Sequence, residues 1–155
     1  MKEIFNNYST IIIFLHVFSA VIWVGGMIAI RVAVHPSLQS IEDAKIKLGK
    51  TLEIVGRLFN LVMPFIIILL VTAVIMIVAL ELKGGIVYIK EAIWSIMSIN
   101  YGFMYYKRAK AQKLFNSGNL KEAKEQVRLL PNRLLPINIA LGVVAIILGV
   151  TLRGL

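Results

Sequence analysis

The sequence predicts an all-α integral membrane protein, a four-helix bundle with up-down topology. Hydrophobic residues make up 59% of its 155 residues and charged residues only 16%, against roughly 45–50% and about 25% in average soluble domains. The mean hydropathy is +0.83. Three runs free of Asp, Glu, Lys and Arg cover 4–30, 58–80 and 134–152. Each is near or above the roughly 20 residues that cross a bilayer. A water-soluble globule of this size could not hide so much apolar surface. The chain reads as a single transmembrane domain, 1–155.

The first span is placed at 8–30. One lysine precedes it, the apolar run is longer than a usual signal core, and no convincing A-x-A cleavage pattern follows, so a retained helix is expected. Ser40, Glu42 and Asp43 mark a helix start, with a capping side chain and acids in the first turn. Helix 2 should therefore begin near Ile41 and run into the span 58–80. The connection Glu81-Leu-Lys-Gly-Gly85 is short, which makes spans 2 and 3 antiparallel neighbours. The third span, 86–106, extends the charge-free stretch 92–106 backwards and takes in Lys90 and Glu91. Asn116-Ser-Gly-Asn119 is a turn signal. A short helix should follow from Asn119 and end at Pro131. The fourth span is 134–152.

The net charge is +9, from 17 Lys+Arg against 8 Asp+Glu. In a soluble protein that balance would suggest nucleic acid. Here the cations lie between apolar spans, so they read as topology signals that touch anionic headgroups, and no nucleic-acid partner is expected. Five Lys/Arg fall in 31–57 and eight in 107–133, whereas Lys2, Lys83 and Arg153 fall on the other side, with Lys90 near them. The positive-inside rule then puts both large loops in the cytoplasm. An inner-membrane location is expected, multi-pass, with both termini outside. The bilayer is the first expected partner, and a homo-oligomer is compatible with the pattern.

Cysteine is absent, which excludes disulfides, thiolate metal sites, Fe–S clusters and thiol catalysis. Two histidines, His16 and His35, are too few for a common four-ligand zinc site. Ionisable groups inside a span are functional candidates by default. His16 lies near the middle of span 1, about 12 Å below the outer surface, and Lys90 lies roughly 6–8 Å below it. Each has a plainer reading: His16 as an interhelical hydrogen-bonding group, Lys90 as an anchor that snorkels to the headgroups. His35 is 19 residues beyond His16, about 28 Å along a continuous helix. By that arithmetic His16 and Lys90 can share one iron, whereas His35 and Lys90 cannot. Ala20, Trp23, Met27 and Arg31 recur on the His16 face at steps of three or four. Trp23 could stack on a flat macrocycle or simply pack, and Gly25-Gly26 permits close approach of a helix or ligand. Met27, Met63, Met76, Met97 and Met104 could offer thioethers to Cu(I), but their scattered spacing suits core packing.

The segment His16-Val-Phe-Ser-Ala-Val-Ile-Trp23-Val-Gly-Gly26, followed by Arg31 and His35, resembles the first helix of the CopD/HemJ group of bacterial membrane proteins. Glu53-Ile-Val-Gly-Arg57-Leu-Phe-Asn-Leu-Val-Met63-Pro64 is similar to the approach to helix 2 in HemJ proteins. Tyr88-Ile-Lys90 stands where that group has His-x-Lys, and Asn132-Arg-Leu-Leu-Pro136 is loosely similar to its Asn-Glu-x-Pro. The resemblance implies a haem b protein akin to the oxygen-independent protoporphyrinogen IX oxidases, with His16 and Lys90 as iron ligands. It implies porphyrinogen and quinone as partners, and an oxidoreductase activity that the residues by themselves leave open. Trp23 and Arg31 would line the haem, Arg31 by holding a propionate, and His35 would move protons at the cytoplasmic face. Two other functions remain open: a CopD-like copper transport protein, and a structural or assembly subunit whose polar groups only fasten helices.

Overall fold

The computed structural model describes residues 1–152 and is all-helical over them, with four helices and short turns. Helix α1 runs Lys2–Gln39, α2 Ala44–Ala79, α3 Gly85–Asn116 and α4 Leu120–Leu152. Arg153, expected at the outer side, lies outside the described residues.

The helices are longer than the spans. α1 continues past residue 30 through Pro36, and α4 continues through Pro131 and Pro136. A proline inside an α-helix lacks the N–H of one bond and pushes its ring against the carbonyl four residues back. In both helices a π-helical turn lies where the ring presses: Ile30–Val34 before Pro36, and Leu130–Leu134 before Pro136. The crowded carbonyls belong to Val32 and Asn132, the third residue of each turn. A π turn is wider and holds one more residue, so it accommodates what would break an α-helix. Pro131 lies within the second of these turns, and the carbonyl four residues before it is that of Val127, where the helix loosens to a turn at Arg128, so α4 continues past the expected stop. A further π turn, Val21–Gly25, precedes Gly26.

The connections are tight. Asp43, in extended conformation, accepts from the Ile46 N–H at 2.8 Å and caps α2. Ser40, the expected cap, instead donates to the Ser37 carbonyl at 2.8 Å and closes α1. The start of α2 therefore falls three residues later than Ile41. Gly118 turns α3 into α4 at φ 82°, a conformation that favours glycine.

Each helix packs on two neighbours: α1 on α2 and α4, and α3 on α2 and α4. Lys2 pairs with Glu81, His16 with Thr72, and Gly26 packs on Leu58, so α1 and α2 run antiparallel. Asn100–Asn138 and Lys90–Gly149 give α3 and α4 the same relation. The core at mid-height holds Trp23, Phe59, Tyr101, Met97 and Met104.

Three helices are long and apolar enough to cross a membrane: α1, α2 and α4, with mean hydropathies of 2.4, 3.2 and 2.4 over their apolar stretches. In α2 only 17% of that stretch is buried, and Ile67, Leu70, Val71 and Val74 point outward. Such a girdle of exposed aliphatic side chains is what a membrane-crossing helix would present to lipid. α3 is of similar length but carries Lys90, Glu91 and Asn100 in its first half.

Candidate functional site

Within the apolar stretches the polar groups gather in two layers. The deeper one joins α3 to α4. Asn138, fully buried, donates to the Met97 carbonyl at 3.0 Å. Asn100 donates to Asn138 Oδ1 at 2.7 Å and to the Leu134 carbonyl at 2.9 Å. Tyr101 donates to the Phe59 carbonyl on α2, with its ring edge-on to Trp23, 6.2 Å between centroids. These bonds satisfy one another and fasten the helices.

The upper layer contains His16. Its Nδ1 lies 3.0 Å from Thr72 Oγ1 on α2. Thr72, itself buried, has the Ile68 and Leu69 carbonyls of its own helix at 2.7 and 3.1 Å as acceptors for its one proton. With that proton on its own helix the threonine oxygen accepts from His16 Nδ1, the tautomer that would put the imidazole lone pair on Nε2. A ligating histidine usually donates its other ring N–H to a carboxylate, backbone carbonyl or water; here a threonine hydroxyl stands in that position.

Lys90 lies half-buried on α3. Its Nζ is 2.9 Å from where a Cβ on Gly149 would sit, so this glycine on α4 makes room for the amine. His16 meets α2 and Lys90 meets α4, on helices that face each other across the bundle. Their depths can be compared through their partners. Trp23 is level with Tyr101, and His16 stands seven residues before Trp23, so it is level with about residues 92–94 of α3. Lys90 is then within about 3–6 Å of the same height.

Trp23 is 1% exposed and belongs to the core beneath His16. Among the described residues, three buried polar side-chain atoms lack a hydrogen-bond partner: Trp23 Nε1, Trp94 Nε1 and Ser98 Oγ. Trp94 and Ser98 follow Lys90 at one and two turns on α3.

Arg31 lies in the π turn Ile30–Val34 and His35 just beyond it. Since α1 is continuous through Gln39, both are at the opposite end of the bundle from His16. His35 lies beside Gln39 and lines a cavity of about 300 Å³ at that end, which Arg31 does not line. The cations that do line it are Lys47, Arg108, Lys124 and Arg128. They went unmarked in the sequence because they sit among many solvated lysines and arginines. Thr72 was hidden for another reason: a threonine in an apolar run usually bonds only its own helix. The methionines remain dispersed, with Met27, Met97 and Met104 in the core and Met63 facing outward. Among the described residues no group of three His, Cys, Asp or Glu side chains could hold a bare metal ion.

No family model, curated protein or solved structure matches this chain.

Proposed function

We propose that the chain is a multi-pass protein of the bacterial inner membrane in which His16 and Lys90 would hold haem b, and that it serves in electron transfer or porphyrin oxidation. The observation that supports this reading is the His16–Thr72 pair, which holds the imidazole ring and suits the tautomer with its lone pair on Nε2. The donor set fits the group: an imidazole of defined tautomer, an amine at nearly the same depth on the facing helix, and indole N–H groups without protein partners. A lysine amine ligates only when deprotonated, and its neutral form is favoured where water is scarce.

Bound haem b would supply one-electron chemistry at the iron. The residues of this chain would do the rest. Thr72 holds the imidazole ring by its Nδ1–H. Gly149 leaves the space in which the Lys90 amine can lie against α4. The apolar girdle excludes water. At the far end, Arg31 and His35 sit where a carboxylate could be held and a proton exchanged with solvent. The orientation that fits is up-down, with all four helices crossing, α3 included, and with both loops rich in Lys and Arg inside. The resemblance to the CopD/HemJ group points the same way.

The test is a visible spectrum of the purified protein, oxidised and reduced, after expression with ample haem. A Soret band that shifts on reduction supports the proposal. Protein free of haem, whether colourless or carrying copper by elemental analysis, overturns it.

A further inference from the structure

The cavity at the basic end has the size of a small ligand site, at the lower limit of the usual range. Its floor is apolar, with Ile30, Leu38, Val55 and Leu135. Its rim carries four cations against one acid, Glu42. Two of these cations are engaged at the surface: Lys47 donates to the Gln39 carbonyl at 3.2 Å, and Arg128 pairs with Glu125 at 3.3 Å.

Arg108 is different. It is half-buried and reaches across from α3 to α2. Its Nε and Nη2 donate to the Leu52 carbonyl at 3.0 and 2.9 Å, and Nη2 also donates to Gln112 at 3.0 Å. Its guanidinium fills the space that a side chain at position 56 would need, which Gly56 leaves open. Among the described residues no carboxylate forms an ion pair with it. A cation drawn inward without a counter-ion is costly, and an anion bound beside it would offset that cost.

Two more observations bear on the occupant. The π turns of α1 and α4 both contribute to the wall, through Ile30 and Val34 on one side and Leu130 and Asn132 on the other. Such turns occur frequently at functional sites. The cavity also lies at the ends of the apolar stretches, where an apolar floor and a basic rim would meet the boundary between acyl chains and headgroups.

We propose that this cavity holds an anionic phospholipid, its phosphate among Arg108, Lys124 and Arg128 and an acyl chain against Ile30 and Leu38. A soluble anion would use the rim and leave the apolar floor empty; the lipid uses both. The inference rests on the membrane reading of the helices and not on haem.

The experiment is a titration of detergent-purified protein with phosphatidylglycerol or phosphatidylcholine, read by native mass spectrometry. The membrane reading is checked separately, by whether the chain sediments with membranes and needs detergent. The expected result is preferential retention of phosphatidylglycerol. Lys124→Gln with Arg128→Gln should weaken it about 25-fold, at about fivefold per cation removed. Both residues are exposed, so the variant should fold. The control is Lys110→Gln with Lys121→Gln, which removes the same charge from exposed positions outside the cavity and should change binding little. Equal losses in the two double variants would mean diffuse attraction and would overturn the site. So would equal retention of phosphatidylcholine, or displacement of the lipid by millimolar inorganic phosphate.

Discussion

Thr72 donates one proton to its own helix and accepts another from His16, and the candidate site hangs on that division. Thr72→Val keeps the shape and removes the acceptor. The expected outcome is a fall in haem affinity of about 10–100-fold, read as the haem-to-protein ratio at limiting haem, with Thr72→Ser restoring it. His16→Ala should abolish haem retention. Lys90→Ala should leave some haem bound and move the Soret band, because water can replace an amine near a span end. Unchanged haem content in His16→Ala would leave His16 as a fastening between α1 and α2. His16 and Lys90 stand out in the sequence because ionisable side chains in apolar runs are rare. Thr72 and Arg108 do not, since each takes its role from a residue 56 positions away in sequence: His16 for Thr72, and Leu52 with its neighbour Gly56 for Arg108. No local pattern carries that information.

Where α4 meets α1 and α3, a close approach lies at Gly142, where an added Cβ would meet the side chains of Val24 on α1 and, at 3.2 Å, Met97 on α3. Gly142→Ala should therefore destabilise the bundle by about 1–3 kcal/mol. Gly25 has open space around it, and Gly25→Ala should be neutral or stabilise by up to about 1 kcal/mol through helix propensity. Unfolding of the two variants in a denaturing detergent series checks the contrast. Equal behaviour would mean that α1 and α4 do not touch there. The helices themselves were legible as long uncharged runs, and the turn at Asn116–Asn119 as its residue types. Their ends were not. Pro131, read as a terminator, assumes a regular α-helical register, and α4 loosens to a turn at Arg128 ahead of it, as the π turns change the register ahead of Pro36 and Pro136.

At the level of the molecule, charge is segregated by end. The extended ends of α2, α3 and α4, which carry Lys47, Arg108, Lys124 and Arg128, meet the end of α1 around one cavity, and the opposite end holds the exposed Lys2–Glu81 pair and Lys83. A reporter fused to the C-terminal end and active only in the cytoplasm should be silent, and one active only outside should work. The reverse result would invert the orientation. The composition made this polarity legible, because 13 of 17 basic residues fall in two stretches. That the two stretches fold back as helices and close on each other was not legible. It depends on α4 packing its first two turns, Leu120–Val127, against α3.

The π turns of α1 also make that helix a phase counter. Each absorbs one extra residue, whereas a residue that is not absorbed rotates everything beyond it by about 100°. Trp23 and Met27 face the core, and so does Leu38 beyond the turn Ile30–Val34. Deleting the exposed Val32 would remove the absorbed residue and restore an α-helical pitch with His35 and Leu38 still facing the cavity, whereas inserting an alanine after Val34 would swing them away, with His16 and Trp23 in place in both variants. The deletion should keep both the spectrum and the preference for phosphatidylglycerol; the insertion should keep the spectrum and lose the preference. One added residue would thus uncouple the two ends of the molecule without touching a contact at either.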